Sequence, residues 1–404
     1  LLVFFWISCV REKVTNNPES KLTAIPIPQK NIENFSEVFK EVSYLTVQLP
    51  PESYIGQVDK LILTDDHIFM GDFYQEPRVV VLDKRGKFLG TVGSFGEGPG
   101  QYTQLDDFEI IQKEKLIVLL STKKLIYYDF EGRFLREIPI PIGGGYKFLV
   151  KDDQTIILYV PQKINSREAK YRDYILFQHK GGKILPIFES IDKLEYTPFF
   201  AERNNLALHN NQEFFTTRFS DTIYVFNKGI LLEKMYLNFE SSRKLPLGIF
   251  EKHDSEILNN FEFMQNYLFH MPNMHVNKDY LITCFRENNR RSTLIYKRFN
   301  DTSYSVANTN NDLDRLLPYL NVKYLKDDQI ITCHYPEEFL NNTKSTSTRN
   351  HPLLLSFAED EVDFILSFYT IKYIQSEKVW PEFNRVHKIV WYWNKVNGII
   401  QESL

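Results

Sequence analysis

Short β-rich apolar runs alternate with polar turns along this chain, and one such unit recurs. Val79-Val80-Val81-Leu82 leads into Asp83-Lys84-Arg85-Gly86-Lys87-Phe88-Leu89, and 46 residues later Leu125-Ile126-Tyr127-Tyr128 leads into Asp129-Phe130-Glu131-Gly132-Arg133-Phe134-Leu135. Each copy reads as strand, turn, strand. An Asp side chain can bond the backbone two residues on, Gly supplies a positive φ at no steric cost, and the following Phe and Leu resume the outer strand. Weaker copies follow at 179–185 and 226–232, so that Gly86, Gly132, Gly182 and Gly229 stand 46, 50 and 47 residues apart. The segments 294–301 and 364–369 read as fifth and sixth copies with longer insertions.

Self-similarity at a period of about 40 to 50 residues, with several strands per unit, is the signature of β-propeller blades. Six apolar runs open the units, beginning at His67, Lys115, Thr155, Glu213, Tyr280 and Gln329. Each is expected to be the buried inner strand of its blade. Lys151-Asp152-Asp153-Gln154 and Lys326-Asp327-Asp328-Gln329 are nearly the same peptide and are expected at equivalent blade entries. A β-sandwich sharing the composition by chance would not hold this phase over four units. The sequence therefore predicts an all-β protein, a six-bladed β-propeller with four-stranded blades, as one domain over residues 44–374. The last unit offers strands at 329–335, 353–357 and 364–371, and Tyr44–Leu49 has no blade of its own. That N-terminal strand is expected to supply the fourth strand of the last blade, covering an edge and locking the ring.

An aromatic content of 15%, with 32 Phe and 23 Tyr, suits rings packed between β blades. A formal net charge of −4 and no basic stripe with interleaved aromatics give no reason to expect nucleic acid or an anionic membrane surface as partner.

Phe95-Gly96-Glu97-Gly98-Pro99-Gly100-Gln101-Tyr102, just before Leu105-Asp106-Asp107-Phe108, resembles the blade-connecting G-x-G-P-G-x-[YF] segment of bacterial NHL-like six-bladed propellers. Ser220–Val225 and Tyr236–Phe239 resemble the middle of a family of bacterial six-bladed β-propeller lipoproteins of undefined function. The resemblance spans roughly residues 40–374. It implies the fold and a cell-envelope setting, and it brings no catalytic residues. Residues 375–404, including Trp391-Tyr392-Trp393, have no counterpart in it and are expected to form a C-terminal tail.

Leu1-Leu2-Val3-Phe4-Phe5-Trp6-Ile7-Ser8-Cys9 resembles the end of a bacterial lipoprotein signal with lipidation at Cys9, and it is too short to span a bilayer. The alternatives are an ordinary signal peptide that is truncated, or a misplaced start. Residues 10–43, with Asn16-Asn17-Pro18 and Ile25-Pro26-Ile27-Pro28, read as an extended tether between membrane and propeller. The protein is thus expected in the cell envelope, lipid-anchored. Cys284 and Cys333 fall at corresponding positions of neighbouring blades, too far apart for a disulfide, and are expected as buried thiols.

Candidate chemistry is sparse. His270-Met271-Pro272-Asn273-Met274-His275 offers two imidazoles and two thioethers for a soft metal, but with Pro in the middle and no third or fourth fixed ligand it is expected to be a loop dressing one face. The pairs Asp65-Asp66, Asp106-Asp107, Asp152-Asp153 and Asp327-Asp328 recur at blade entries and read as turn chemistry. No G-x-S-x-G, H-E-x-x-H or Walker-type segment is present, and the glycines of 96–100 read as a tight connector. No metal, cofactor or catalytic residue is expected. The channel is expected to carry mostly apolar or small groups, with His67 and His334 as its imidazoles and no convergence of three or more His, Asp or Glu. The insertion 241–276, with a short helix at 249–258 and the rings Phe261, Phe263, Tyr267 and Phe269, would suit a glycan or peptide at the channel mouth, but such rings more often pack an insertion onto the blades, and that is the reading favoured here. The function these features favour is a membrane-anchored binding or interaction module for a glycan, a peptide or an envelope protein. The alternative is a lyase or glycan-cleaving propeller with its site at the channel mouth.

Overall fold

The computed structural model describes residues 20–372 except 122, 141, 143–146, 153–154, 161–170, 172, 190–203, 218, 240–243, 246–265, 288–289, 343–350 and 360. Cys9, the tail 375–404, the helix expected at 249–258, Phe261 and Phe263 lie outside these residues.

Six of the sheets formed by the described strands make the blades of a β-propeller, in chain order. Blade one consists of Lys60–Leu63, His67–Asp72, Arg78–Asp83 and Phe88–Val92; blade two of Asp107–Ile111, Leu116–Ser121, Lys124–Asp129 and Phe134–Pro139. Blade three holds Lys147–Val150, Thr155–Tyr159, Tyr174–Lys180 and Lys183–Glu189; blade four holds Leu206–His209, Gln212–Phe215, Thr222–Asn227 and Ile230–Asn238. Blade five holds Phe269–Val276, Tyr280–Glu287, Arg290–Lys297 and Thr302–Val306, and blade six holds Val322–Lys326, Gln329–His334, Phe364–Ile371 and Phe39–Val47. The first strand of every blade touches the first strands of its two neighbours, closing a ring around the axis.

The repeated hairpins are the turns between third and fourth strands. Gly86 and Gly132 take φ of +82° and +76°, and the preceding carboxylate clamps each loop. Asp83 accepts the N–H groups of Arg85 and Lys87 at 2.8 and 2.9 Å, and Asp129 those of Glu131 and Arg133 at 3.1 and 2.9 Å. The Lys87 and Arg85 amides hold the Asp83 carboxyl below its ordinary range. An ideal Cβ on Gly86 would stand 3.0 Å from the Thr46 carbonyl oxygen in blade six, so the missing side chain also lets neighbouring blades approach.

The six second strands begin where the six apolar runs begin. They are not the innermost strands, as their sequences suggested. Their side chains point into the seams, where one apolar cluster fills each gap between adjacent blades. Phe69 and Val81 of blade one meet Phe108, Leu119 and Ile126 of blade two, and Ile156 and Phe177 of blade three meet Val118 and Tyr127 of blade two. The same arrangement fills the remaining four seams. Each such side chain contributes about 1.5–3 kcal/mol on burial, so stability is spread around the ring.

Phe39–Val47 pairs antiparallel with Phe364–Ile371, from Phe39↔Ile371 to Val47↔Phe364, and closes the ring as the unassigned N-terminal strand suggested. Two expectations need correction. Residues 353–357 belong to a helix, Pro352–Glu359, packed with Pro336–Asn342 over blade six; Leu317, Phe339 and Leu354 bury together there. Part of the expected tether is also docked. Lys21–Pro26 adds a parallel fifth strand to blade four, Ser305 donates to Asn31 at 2.6 Å, and the Phe35 amide donates to the Asn310 carbonyl at 2.9 Å. Apolar residues drive this, since Ile25, Phe35, Val38 and Phe39 are fully buried.

Candidate functional site

Four antiparallel strands return each blade to the side on which it began, so all six first strands run the same way along the axis. Their opening residues therefore gather at one end of the channel. A cavity of about 250 Å³ runs from there along the channel, lined from all six blades by residues that include Lys60, Glu109, Lys147, Asn204, His275 and Lys323.

Asp107 is the hub behind its wall. It opens the first strand of blade two and is 1% exposed. Lys60 of blade one places Nζ 3.0 Å from Asp107 Oδ1, while Lys147 Nζ of blade three stands 3.7 Å from Oδ2 and the Phe148 N–H donates to Oδ2 at 3.2 Å. One carboxylate thus ties three successive blades. Lys60 Nζ also reaches Glu109 Oε1 and the Phe108 carbonyl, both at 2.5 Å. Burial opposes the charge on Lys60, but Asp107 and Glu109 outweigh it and carry the ammonium up to about 12. Lys147 has the weaker carboxylate contact, and burial pulls it down to about 8. Burial raises Glu109 above the usual carboxylate range.

The far wall is made of amides and an imidazole. Asn204 donates its side-chain N–H to the Met274 carbonyl, and Asn273 donates to the Val322 carbonyl at 2.9 Å, linking blades four, five and six. The Asn273 Oδ1 accepts from His275 Nε2 at 3.1 Å, which places the proton of this imidazole on Nε2. Burial, then the positive charges of Lys147, Lys323, Arg291 and Lys60, push His275 down to about 3. The ring is neutral, and the potential around it is positive.

The candidates read from sequence are distributed differently. His270 to His275 is part of the first strand of blade five rather than a loop, with a bulge between Met271 and His275 that accommodates Pro272. Its two imidazoles diverge. His270 bonds the Ser220 carbonyl at 2.8 Å and Thr283 Oγ1 at 2.7 Å in the interior, while His275 lines the channel. His67 packs against Phe69 and Phe130, and His334 is buried between Thr332 Oγ1 at 3.0 Å and Glu338 Oε2 at 3.1 Å. Neither lines the cavity. The residues expected to line the channel, such as Ile68, Phe69, Ile117 and Ile156, fill blade seams. Asp65-Asp66 and Asp327-Asp328 do occupy turns between first and second strands, and Asp152 lies in the corresponding turn of blade three. Asp106-Asp107 does not, and Asp107 was missed for that reason. The signal available in sequence was the lysine opening the first strand on either side, Lys60 and Lys147. Among the described residues, no group of three or more His, Cys, Asp or Glu is placed to hold a metal. Cys284 and Cys333 are buried free thiols.

Solved structures share this architecture. A Bacteroides fragilis NCTC 9343 protein predicted to be exported aligns at 18% identity and a TM-score of 0.67, over 87% of this chain and 100% of the other. A DUF4221 member from Bacteroides vulgatus ATCC 8482 aligns at 8% identity and a TM-score of 0.54, over 83% and 97%. At these identities the likeness is one of fold. No curated protein matches the sequence. The model of a domain of unknown function, DUF4934, matches residues 22–364, the greater part of the chain from the docked N-terminal strand into blade six, and the chain belongs to that family.

Proposed function

We propose that this protein is an exported, lipid-anchored β-propeller that binds a glycan, peptide or envelope protein at the end of its axial channel where the first strands begin. One observation carries the reading: charged and amide side chains from several blades converge on a cavity whose walls are fixed by the ring itself. Such preorganisation keeps the ordering cost of binding low. The signal-like Leu1–Cys9 run and the export predicted for the Bacteroides fragilis relative support the location. Among the described residues no helix is long and apolar enough to cross a membrane, and the anchor at Cys9 rests on the signal-like run alone.

The test is calorimetry of the full chain against oligosaccharides and peptides released from the envelope. A ligand should bind the wild type and bind at least about tenfold more weakly to Asn273→Ala and Lys323→Met proteins that keep the wild-type circular dichroism. Ligands indifferent to both substitutions would place binding elsewhere and overturn the reading.

A further inference from the structure

The charges of the axial cavity do not balance locally. Two carboxylates line it, Asp59 and Glu109, a third, Asp107, lies buried behind its wall, and each is occupied. Asp107 takes Lys60, Lys147 and the Phe148 amide. Glu109 takes Lys60. Asp59 accepts from Gln57 Nε2 at 2.9 Å and from the Phe73 amide at 2.7 Å. All of these contacts lie in blades one to three. On the blade-six wall, Lys323 lines the cavity with no ion-pair partner among the described residues, and Lys147 is held only by the 3.7 Å contact.

We propose that the group bound in the axial cavity is anionic, a carboxylate, sulfate or phosphate carried by the ligand, received by Lys147 and Lys323 beside His275. This rests on the channel end being the ligand site. A cavity of about 250 Å³ holds roughly eight waters at about 30 Å³ each, enough for one such group with a few attached atoms. An uncompensated ammonium in a partly enclosed site selects for negative charge, because the anion exchanges water for a fixed cation in a low dielectric. The four cations that add to burial in keeping the His275 ring neutral act on the same space, while Asp107 lies behind the wall and Glu109, though it lines the cavity, is bound to Lys60. With its Nε2–H committed to Asn273, His275 supplies wall rather than charge.

The experiment titrates inorganic phosphate and acetate into the full chain at constant ionic strength, with sodium chloride as the control anion, and follows heat and melting temperature. Saturable phosphate or acetate binding is expected, weakened at least tenfold by Lys323→Met and by Lys147→Met and retained by Lys323→Arg, all with wild-type circular dichroism. Absence of saturable binding by either probe, or equal binding by Lys323→Met, overturns the proposal. The two readings fail separately. An envelope ligand that depends on Lys323 yet is uncharged and not displaced by phosphate keeps the ligand site and ends the anionic assignment. Phosphate binding that depends on Lys323, with no envelope ligand affected by its loss, keeps the anion site and ends the functional reading.

Discussion

Lys60 and Asp107 close the seam between blades one and two from the channel side, with Nζ 3.0 Å from Oδ1 and side-chain exposures of 12% and 1%. The pair is buried enough that breaking it differs from removing it. Asp107→Asn strands two ammonium groups, Lys60 and Lys147, with only Glu109 between them, and should cost about 3–5 kcal/mol. Asp107→Asn combined with Lys147→Met should recover part of that loss. Urea unfolding of the three proteins checks this, and equal stability of the single variant and wild type would contradict it.

Lys147 gives a pH signature. Its folded value of about 8 lies below the ordinary 10.5, so between these values the unfolded chain binds more protons and stability rises with pH. The groups facing it are Asp107, Glu109 and Lys60, and Lys60 stays charged throughout this window. The stability of wild type minus that of Lys147→Met should therefore increase from pH 8 to pH 9.5. A flat difference would show that Lys147 is not the desolvated group described.

The hairpin glycines are expected to differ in cost. Gly86 and Gly229 share the left-handed backbone, with φ of +82° and +78°, but a Cβ on Gly86 meets a carbonyl at 3.0 Å while one on Gly229 meets nothing within 4 Å. Gly229→Ala should cost about 1 kcal/mol from the backbone alone. Gly86→Ala should cost measurably more, and thermal unfolding of both variants ranks them.

Ring closure can be probed at Phe39, whose ring packs 5.5 Å from those of Phe35 and Tyr369. Phe39→Ala should destabilise by about 3–5 kcal/mol. The loss should appear as one cooperative transition at lower temperature, because the seams couple every blade to its neighbours. A separate early transition confined to blade six would argue against that coupling.

The proposed anchoring is tested at Cys9. In the intact precursor, Cys9→Ala should abolish acyl labelling and move the protein from the membrane fraction to the soluble one. Retention of the variant in membranes would end the lipoprotein assignment.

The sequence made the hairpins legible because their chemistry is local: Asp83 and Gly86 need only each other and the intervening backbone. The apolar runs at Leu116 and Tyr280 were equally plain, since a strand buried on both faces reads as a continuous apolar run. What could not be read was their rank within the blade. The true first strands are short, Lys60–Leu63 and Lys147–Val150 for example, so their three apolar residues after the lysine give a weaker signal than the longer second strands. His270 to His275 resembled a loop because Pro272 sits in it, and only the ladder with Tyr280–Glu287 reveals a bulged strand. Asp107 shared a dipeptide with three turns, and its partners lie 47 and 40 positions away at Lys60 and Lys147. Local patterns fix turns. The polar wall is a product of closure.

The N-terminal strand of blade six gives the chain a late rendezvous. Leu49 and Asp363 are joined by a hydrogen bond across 314 positions, so an emerging polypeptide can assemble blades one to five before the two halves of the sixth are both present. Until then Phe39–Val47 has no strand to pair with, and an interrupted or truncated chain would present that unpaired segment to other molecules. Long-range closure of this kind slows folding. A protein built this way benefits from meeting few other unfolded strands before the ring snaps shut.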